Sequence, residues 1–229
     1  MTVFAFPRAP RRIAFVNARL LDPETGLDTR GGVLVRGETI EAVGPEVTLS
    51  KIDDSDVIDA GGHLLCPGLI DMRVFTGEPG AEYRETLETA SLSAAAGGVT
   101  TMCVMPDTAH VIDQPEMVDF VLRRARDTAH IRVLPVGALT EGLEGEALAS
   151  LGLLAEAGAA FVSQGRRAVR KAQVLRRALT YARAFGLLVD HQPHDPDLVG
   201  DGVMNEGEVS TRLGLPGIPR EAETIMAAR

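Results

Sequence analysis

After Pro67-Gly68 the chain alternates short apolar runs with longer amphipathic ones, and this rhythm restricts its possible folds more than any other feature. Residues 69–75 read as strand and 82–96 as helix. The pattern repeats as 100–105 and 114–128, 131–138 and 146–157, 159–163 and 171–185, then 187–191, with a last helical start over 220–229. Apolar strands alternating with helices of this length specify a parallel α/β fold. A (β/α)8 barrel needs eight such units and roughly 250 residues, whereas an open doubly wound sheet of five strands needs nothing more. The pattern alone leaves both open.

Residues 13–59 follow a different rhythm. Ile13 to Val16, Gly32 to Gly37 and Ile40 to Gly44 are short alternating runs punctuated by Gly, Asp and Pro, as in small antiparallel strands joined by tight turns. The organisation expected is therefore a β module over 1–65 and an α/β domain over 66–229. With 45% hydrophobic residues the chain can bury a substantial core. No apolar run approaches the roughly 20 residues that span a bilayer. Residues 1–12 hold three arginines but no apolar run before a cleavage site, so no secretory signal is read and a cytoplasmic location is expected. Cys66 and Cys103 sit in apolar, strand-like contexts and are expected to be reduced core thiols.

A formal charge of −9 argues against a nucleic-acid partner, because phosphate binding needs clustered positive charge. One basic cluster does occur, Arg166, Arg167, Arg170 and Lys171. It reads first as a solvated helix face, with anion binding at a helix start as the other reading.

The stretch Asp59-Ala60-Gly61-Gly62-His63-Leu64-Leu65-Cys66-Pro67-Gly68-Leu69-Ile70-Asp71-Met72 resembles the entry into the first barrel strand of cyclic amidohydrolases, the dihydroorotase branch being nearest. Glu78-Pro79-Gly80, Ala94 to Thr101, Met105-Pro106, Gly202 to Glu208 and Arg212 to Pro219 match in family order, from about Ile13 to the last residue. The resemblance implies an amidohydrolase-type (β/α)8 TIM barrel, incomplete in this chain, with a small β-sandwich module. It also implies a metal-activated water that opens or closes a cyclic amide.

The family's functional positions are where this sequence departs. Its first strand ends His-x-His-x-Arg, two metal ligands and an arginine that grips a substrate carboxylate; here the frame reads Arg73-Val74-Phe75-Thr76-Gly77. On a strand, Asp71, Arg73 and Phe75 share a face expected to point into the barrel, with Ile70, Met72 and Val74 toward the helices. The Asn that touches substrate at the second strand end is Asp107. The bridging carboxylate of the fourth is replaced by Ser163-Gln164, with neither Lys51 nor Lys171 placed to substitute. His191, ending the fifth strand, is the one ligand position retained, and His194 and Asp195 add one weak ligand at most. His63, His110 and His130 are expected in loops or at the surface.

One histidine cannot build a catalytic zinc site, which takes about three protein ligands. A guanidinium about 4 Å from a divalent ion would also repel it by roughly 8 kcal/mol at an effective dielectric near 20. Arg73 is expected instead to form an internal ion pair, most simply with Asp71 and otherwise with Asp107. No catalytic residue and no cofactor are therefore expected, although the family uses zinc.

The leading reading is a non-catalytic member that keeps the fold. The resemblance implies aspartate carbamoyltransferase as the partner, in pyrimidine biosynthesis, with self-association as the other possibility. A divergent cyclic amidohydrolase using Asp190 and His191 as an acid/base pair is the rival, and a fragment without separate function is the third reading.

Overall fold

The computed structural model describes residues 11–48 and 56–229. Lys51 and the beginning of the 1–12 stretch lie outside the described residues. The chain divides into two compact units, Met1–Gly68 and Leu69–Arg229.

The first unit is built on a long hairpin. β1 (Arg12–Asp22) pairs antiparallel with β2 (Leu27–Arg36), which pairs with β3 (Thr39–Gly44). Ala14, Val16, Ala18 and Leu20 are all buried, the period-two pattern of a strand with one covered face. The Asp22 carboxylate closes the hairpin turn by accepting from Glu24 N at 3.1 Å and Thr25 Oγ1 at 2.6 Å, which holds it below the usual carboxylate range. The expected antiparallel pattern is only part of the sheet, because β4 (Asp56–Asp59) and β5 (Leu64–Leu65) pair with β1 in parallel. Parallel pairing needs a crossover, and no tight-turn residues announce one.

The second unit opens with β6 (Leu69–Val74), α1 (Leu87–Ala96), β7 (Val99–Val104), α2 (Pro115–Thr128) and β8 (Arg132–Pro135). β9 (Gly137–Ala138), α3 (Leu151–Ala157), β10 (Val162–Ser163), α4 (Ala172–Ala184) and β11 (Val189–Asp190) continue the alternation. Short pieces follow: α5 (Pro196–Val199), β12 (Met204–Asn205), α6 (Glu208–Leu213), β13 (Gly217–Ile218) and α7 (Glu221–Ala228). Every strand pair in this unit is parallel. The segment expected as one strand over 131–138 is interrupted at Val136: β8 pairs with β7, and β9 with β10. Backbone bonds Val136 N to Val104 O and Gly137 N to Phe161 O carry the ladder across the break. The order is thus β6, β7, β8 with β9, β10, β11, five parallel positions of an incomplete barrel.

Side-chain alternation sorts the core into two layers. Met102, Val104, Val133 and Val162 pack toward the helices with Leu87, Val118, Val121, Leu151 and Ala178. Cys103, Met105, Val136 and Phe161 form a second cluster on the other face. Burial and the nearby Asp71 charge push the Cys103 thiol up, so it stays protonated. Cys66 departs from expectation: it is exposed, because it follows β5 in a connection that no element covers. Ile70 and Met72, expected under helices, are 63% and 52% exposed, while Val74 packs on the helix-side core. Among the described residues only β7 pairs with β6, and no helix covers the first half of that strand.

Two helices start later than expected. α1 begins at Leu87 because Thr86 and Thr89 form a reciprocal capping box. α3 begins at Leu151 because 140–148 closes on itself through a bridge between Thr140 and Leu148. No helix among the described residues is long and apolar enough to cross a membrane.

Candidate functional site

The C-terminal ends of β6, β7, β10 and β11 bring together Arg73, Phe75, Asp107, Ser163, Gln164 and His191. Arg73 is exposed at the end of its strand, but its guanidinium crosses to donate to Gly165 O at 3.0 Å and to Gln192 Oε1. The expected ion pairs do not form. The Asp71 carboxylate instead accepts from the Arg73 backbone N at 3.0 Å, a local turn that leaves the long side chain free to reach forward. Asp107 is taken by Arg166, with Nε 2.7 Å from Oδ2. Arg73 therefore has only neutral acceptors, and no carboxylate lies within ion-pair distance of it among the described residues. The Phe75 ring receives both cations, with Arg73 Cζ 5.8 Å and Arg166 Cζ 4.8 Å from its centroid. Such contacts stabilise by roughly 0.5–1 kcal/mol each at exposed sites.

Gly165 sets this geometry. It holds φ +65°, where L side chains are strained, and a Cβ there would lie 2.9 Å from Asp107 Cγ. Gly165→Ala is expected to destabilise the fold by about 2 kcal/mol, from backbone strain and displacement of Asp107. Urea unfolding measures it, and an unchanged midpoint would refute this packing.

The fourth-strand positions are used internally. Ser163 donates to Asp190 Oδ2 at 2.7 Å and accepts from Gly165 N at 3.0 Å. Gln164, 1% exposed, accepts from Thr140 Oγ1 at 3.0 Å. Asp190 is therefore occupied by Ser163. Its neighbour His191 points Nε2 at Val169 N, which donates to it at 3.4 Å, so the two side chains that the rival reading would use as an acid/base pair are each bonded elsewhere. Burial, helped by Arg229 and opposed by Asp190, holds the His191 imidazole below its usual 6.5.

As pH falls through about 6.5 the unfolded chain takes the proton first, so the histidine contributes stability above that pH and loses it below. Urea midpoints measured at about pH 7 and about pH 5 should differ more in the wild type than in His191→Gln. Equal differences would contradict this environment.

The residues present do not fit a metal. No group of three or more His, Cys, Asp or Glu side chains among the described residues could hold one. At the implied site a guanidinium and an aromatic ring stand where ligands would, and the His191 Nε2 lone pair already accepts a backbone N–H. The outlying candidates are also engaged: His194 Nε2 lies 3.3 Å from Glu223, and Asp195 caps α5 and pairs with Arg229 at 3.5 Å. His63, His110 and His130 are exposed. Arg166, Arg167, Arg170 and Lys171 precede α4 rather than forming its face, and they pair with Asp107, Glu144, Asp197 and Glu146. Gln192 and Gly165 escaped the sequence reading as partners of Arg73. The turn-forming Gly165 is a weak signal, and nothing marks Gln192, which lies 119 positions along the chain.

A family model described as Dihydro-orotase-like matches residues 62–229. The dihydroorotase of Syntrophotalea carbinolica is 43% identical over 218 residues, covering 95% of this chain and 51% of that protein. The dihydroorotase of Syntrophobacter fumaroxidans is 44% identical over 222 residues, 96% of this chain and 51% of that protein. The chain thus spans about half the length of the curated relatives it matches. L-Hydantoinase (dihydropyrimidinase) from Arthrobacter aurescens superposes with a TM-score of 0.71 at 21% identity, over 82% of this chain and 42% of that one. A D-hydantoinase gives 0.64 at 20%, over 95% and 48%. At these identities the structures speak for the fold alone.

Proposed function

The chain belongs to the dihydro-orotase-like family, and from that membership we propose that it is a non-catalytic member acting as a structural partner of aspartate carbamoyltransferase in pyrimidine biosynthesis. The observation that carries this reading is Arg73. Its guanidinium is anchored to Gly165 O and Gln192 at the strand ends where the resemblance puts metal ligands. A fixed cation there repels a divalent ion and supplies no lone pair. Phe75, Ser163 and Gln164 remove further donors at the same strand ends, while the core and turns around them are intact.

Co-expression with the host's aspartate carbamoyltransferase, followed by size-exclusion chromatography with light scattering, tests the partnership. A stable stoichiometric complex is expected. A species of 24.3 kDa that ignores the transferase would defeat it.

One observation favours a second reading, a divergent cyclic amidohydrolase: relatives at 43% and 44% identity are themselves called dihydroorotases. Elemental analysis separates the two, since stoichiometric zinc would favour the enzyme.

A further inference from the structure

The strongest charge asymmetry in the sequence begins at the strand-end site and runs on through α4. Between Glu156 and Asp190 there are seven cations and no acidic residue; the chain's formal charge is −9, so −16 resides elsewhere. Four of the seven precede α4 and are paired with acids. The other three, Arg176, Arg177 and Arg183, are exposed on α4, with no acidic side chain within ion-pair distance among the described residues.

The helix is anchored by Val174, Leu175, Ala178 and Ala182 on its buried side, which fixes its other side outward. That outer side is not simply polar. Leu148, Arg176, Arg177, Tyr181 and Ala184 line a groove of about 650 Å³. Tyr181 is braced edge-on by Phe185, with centroids 5.3 Å apart and planes at 77°. Arginine interleaved with a rigid tyrosine is the composition that dominates binding energy at protein interfaces.

We infer that the outer face of α4 docks an acidic polypeptide segment carrying at least one large apolar side chain. Charge complementarity selects this occupant. A second copy packed by a two-fold axis would set the arginines of one α4 against those of the other, and like charges in contact oppose that pairing. Duplex nucleic acid or an anionic bilayer would bring extended negative charge toward a chain that is −16 outside this stretch. A short segment feels mainly the local cations, because screening sets in within about 8 Å at physiological ionic strength. The arginines supply steering and orientation, and the Tyr181 groove supplies desolvated apolar contact. The inference does not depend on the proposed loss of catalysis.

The test uses the whole chain and two fluorescent peptides, a Glu-Glu-Leu repeat and a Glu-Glu-Ser repeat, read by anisotropy across a salt series. The Leu peptide should bind about tenfold tighter than the Ser peptide, since one leucine is buried. Tyr181→Ser should abolish that preference. Reversing Arg176, Arg177 and Arg183 to Glu should weaken binding at least about tenfold, as three exposed ion pairs would. Reversing Arg30, Arg132 and Arg212, which leaves the same net charge, should leave binding unchanged. Equal binding by the two triple variants overturns the inference. So does equal or tighter binding of duplex DNA or phosphatidylserine vesicles that depends on the same arginines. Self-association of the wild type that the α4 triple variant abolishes would assign the face to a second copy and overturn it as well.

Discussion

Purified protein is expected to carry only trace zinc and to leave carbamoyl aspartate and dihydroorotate unconverted, and Arg73→His combined with Phe75→His is expected to change neither result. The double variant restores two imidazoles to the end of β6, but Ser163 and Gln164 still offer no bridging carboxylate. Ser163 is committed to Asp190, Gln164 is buried against Thr140, and His191 still accepts from Val169 N. Two new ligands without that support do not give the set of about three that a catalytic zinc needs. Position 77 also lacks a grip on substrate. Both proteins should therefore stay at least about a millionfold below an active enzyme, the floor of ordinary enzymatic acceleration. Turnover that disappears with a chelator, in either protein, would sink this reading of the site.

Glu78→Ala is expected to cost about 2 kcal/mol of stability, mainly because the buried Leu87 N–H loses its acceptor, while Arg124, itself 42% exposed, loses an ion pair that water partly replaces. The Glu78 side chain is 3% exposed; it accepts from Leu87 N at 2.8 Å and from Arg124 Nε at 2.6 Å. Leu87 is the first residue of α1, whose N–H has no partner within the helix. A carboxylate there also complements the helix dipole. Arg124 belongs to α2. One side chain from the connection after β6 thus fastens two helices at once. Glu78→Gln keeps acceptors without the charge and should lose roughly half as much. Glu88→Ala, on the exposed side of α1, should stay within about 0.5 kcal/mol. Urea midpoints decide between them, and a Glu78→Ala protein as stable as Glu88→Ala would show that the pair contributes nothing.

The repeating strand and helix units were legible because burial imposes period on sequence. Met102 and Val104 alternate with Cys103 and Met105, and each pair went to its own core layer. The same alternation placed Arg73 and Phe75 together, and the second cation on that ring, Arg166, came from 91 positions further along. What the sequence concealed depends on contacts between distant residues or on competition between local bonds. Asp71 is nearest to Arg73 in the chain, yet its carboxylate satisfies a backbone N–H while the guanidinium finds neutral oxygens beyond β10 and β11. The start of α1 turned on which threonine would cap it, and the parallel partners of β1 on a crossover with no residue signature. Ile70 and Met72 have the helix-facing parity but no cover, which only tertiary context decides.

Gly77 is a position whose side chain cannot simply be put back. A Cβ at this position would run into the carbonyl oxygen of Ala81 and come within 2.8 Å of that of Glu85. The backbone at Ala81 and Glu85 occupies the space a side chain would need, and backbone, unlike a flexible side chain, cannot swing aside. If position 77 once held an arginine, its loss and this backbone placement now protect each other. Returning the arginine first would clash, and reopening the loop first would disturb Glu78 and the two helices it fastens. Each single step back is expected to cost stability by itself, so the change at position 77 is held in place by the loop that follows it, and Gly77→Arg alone should lower the urea midpoint.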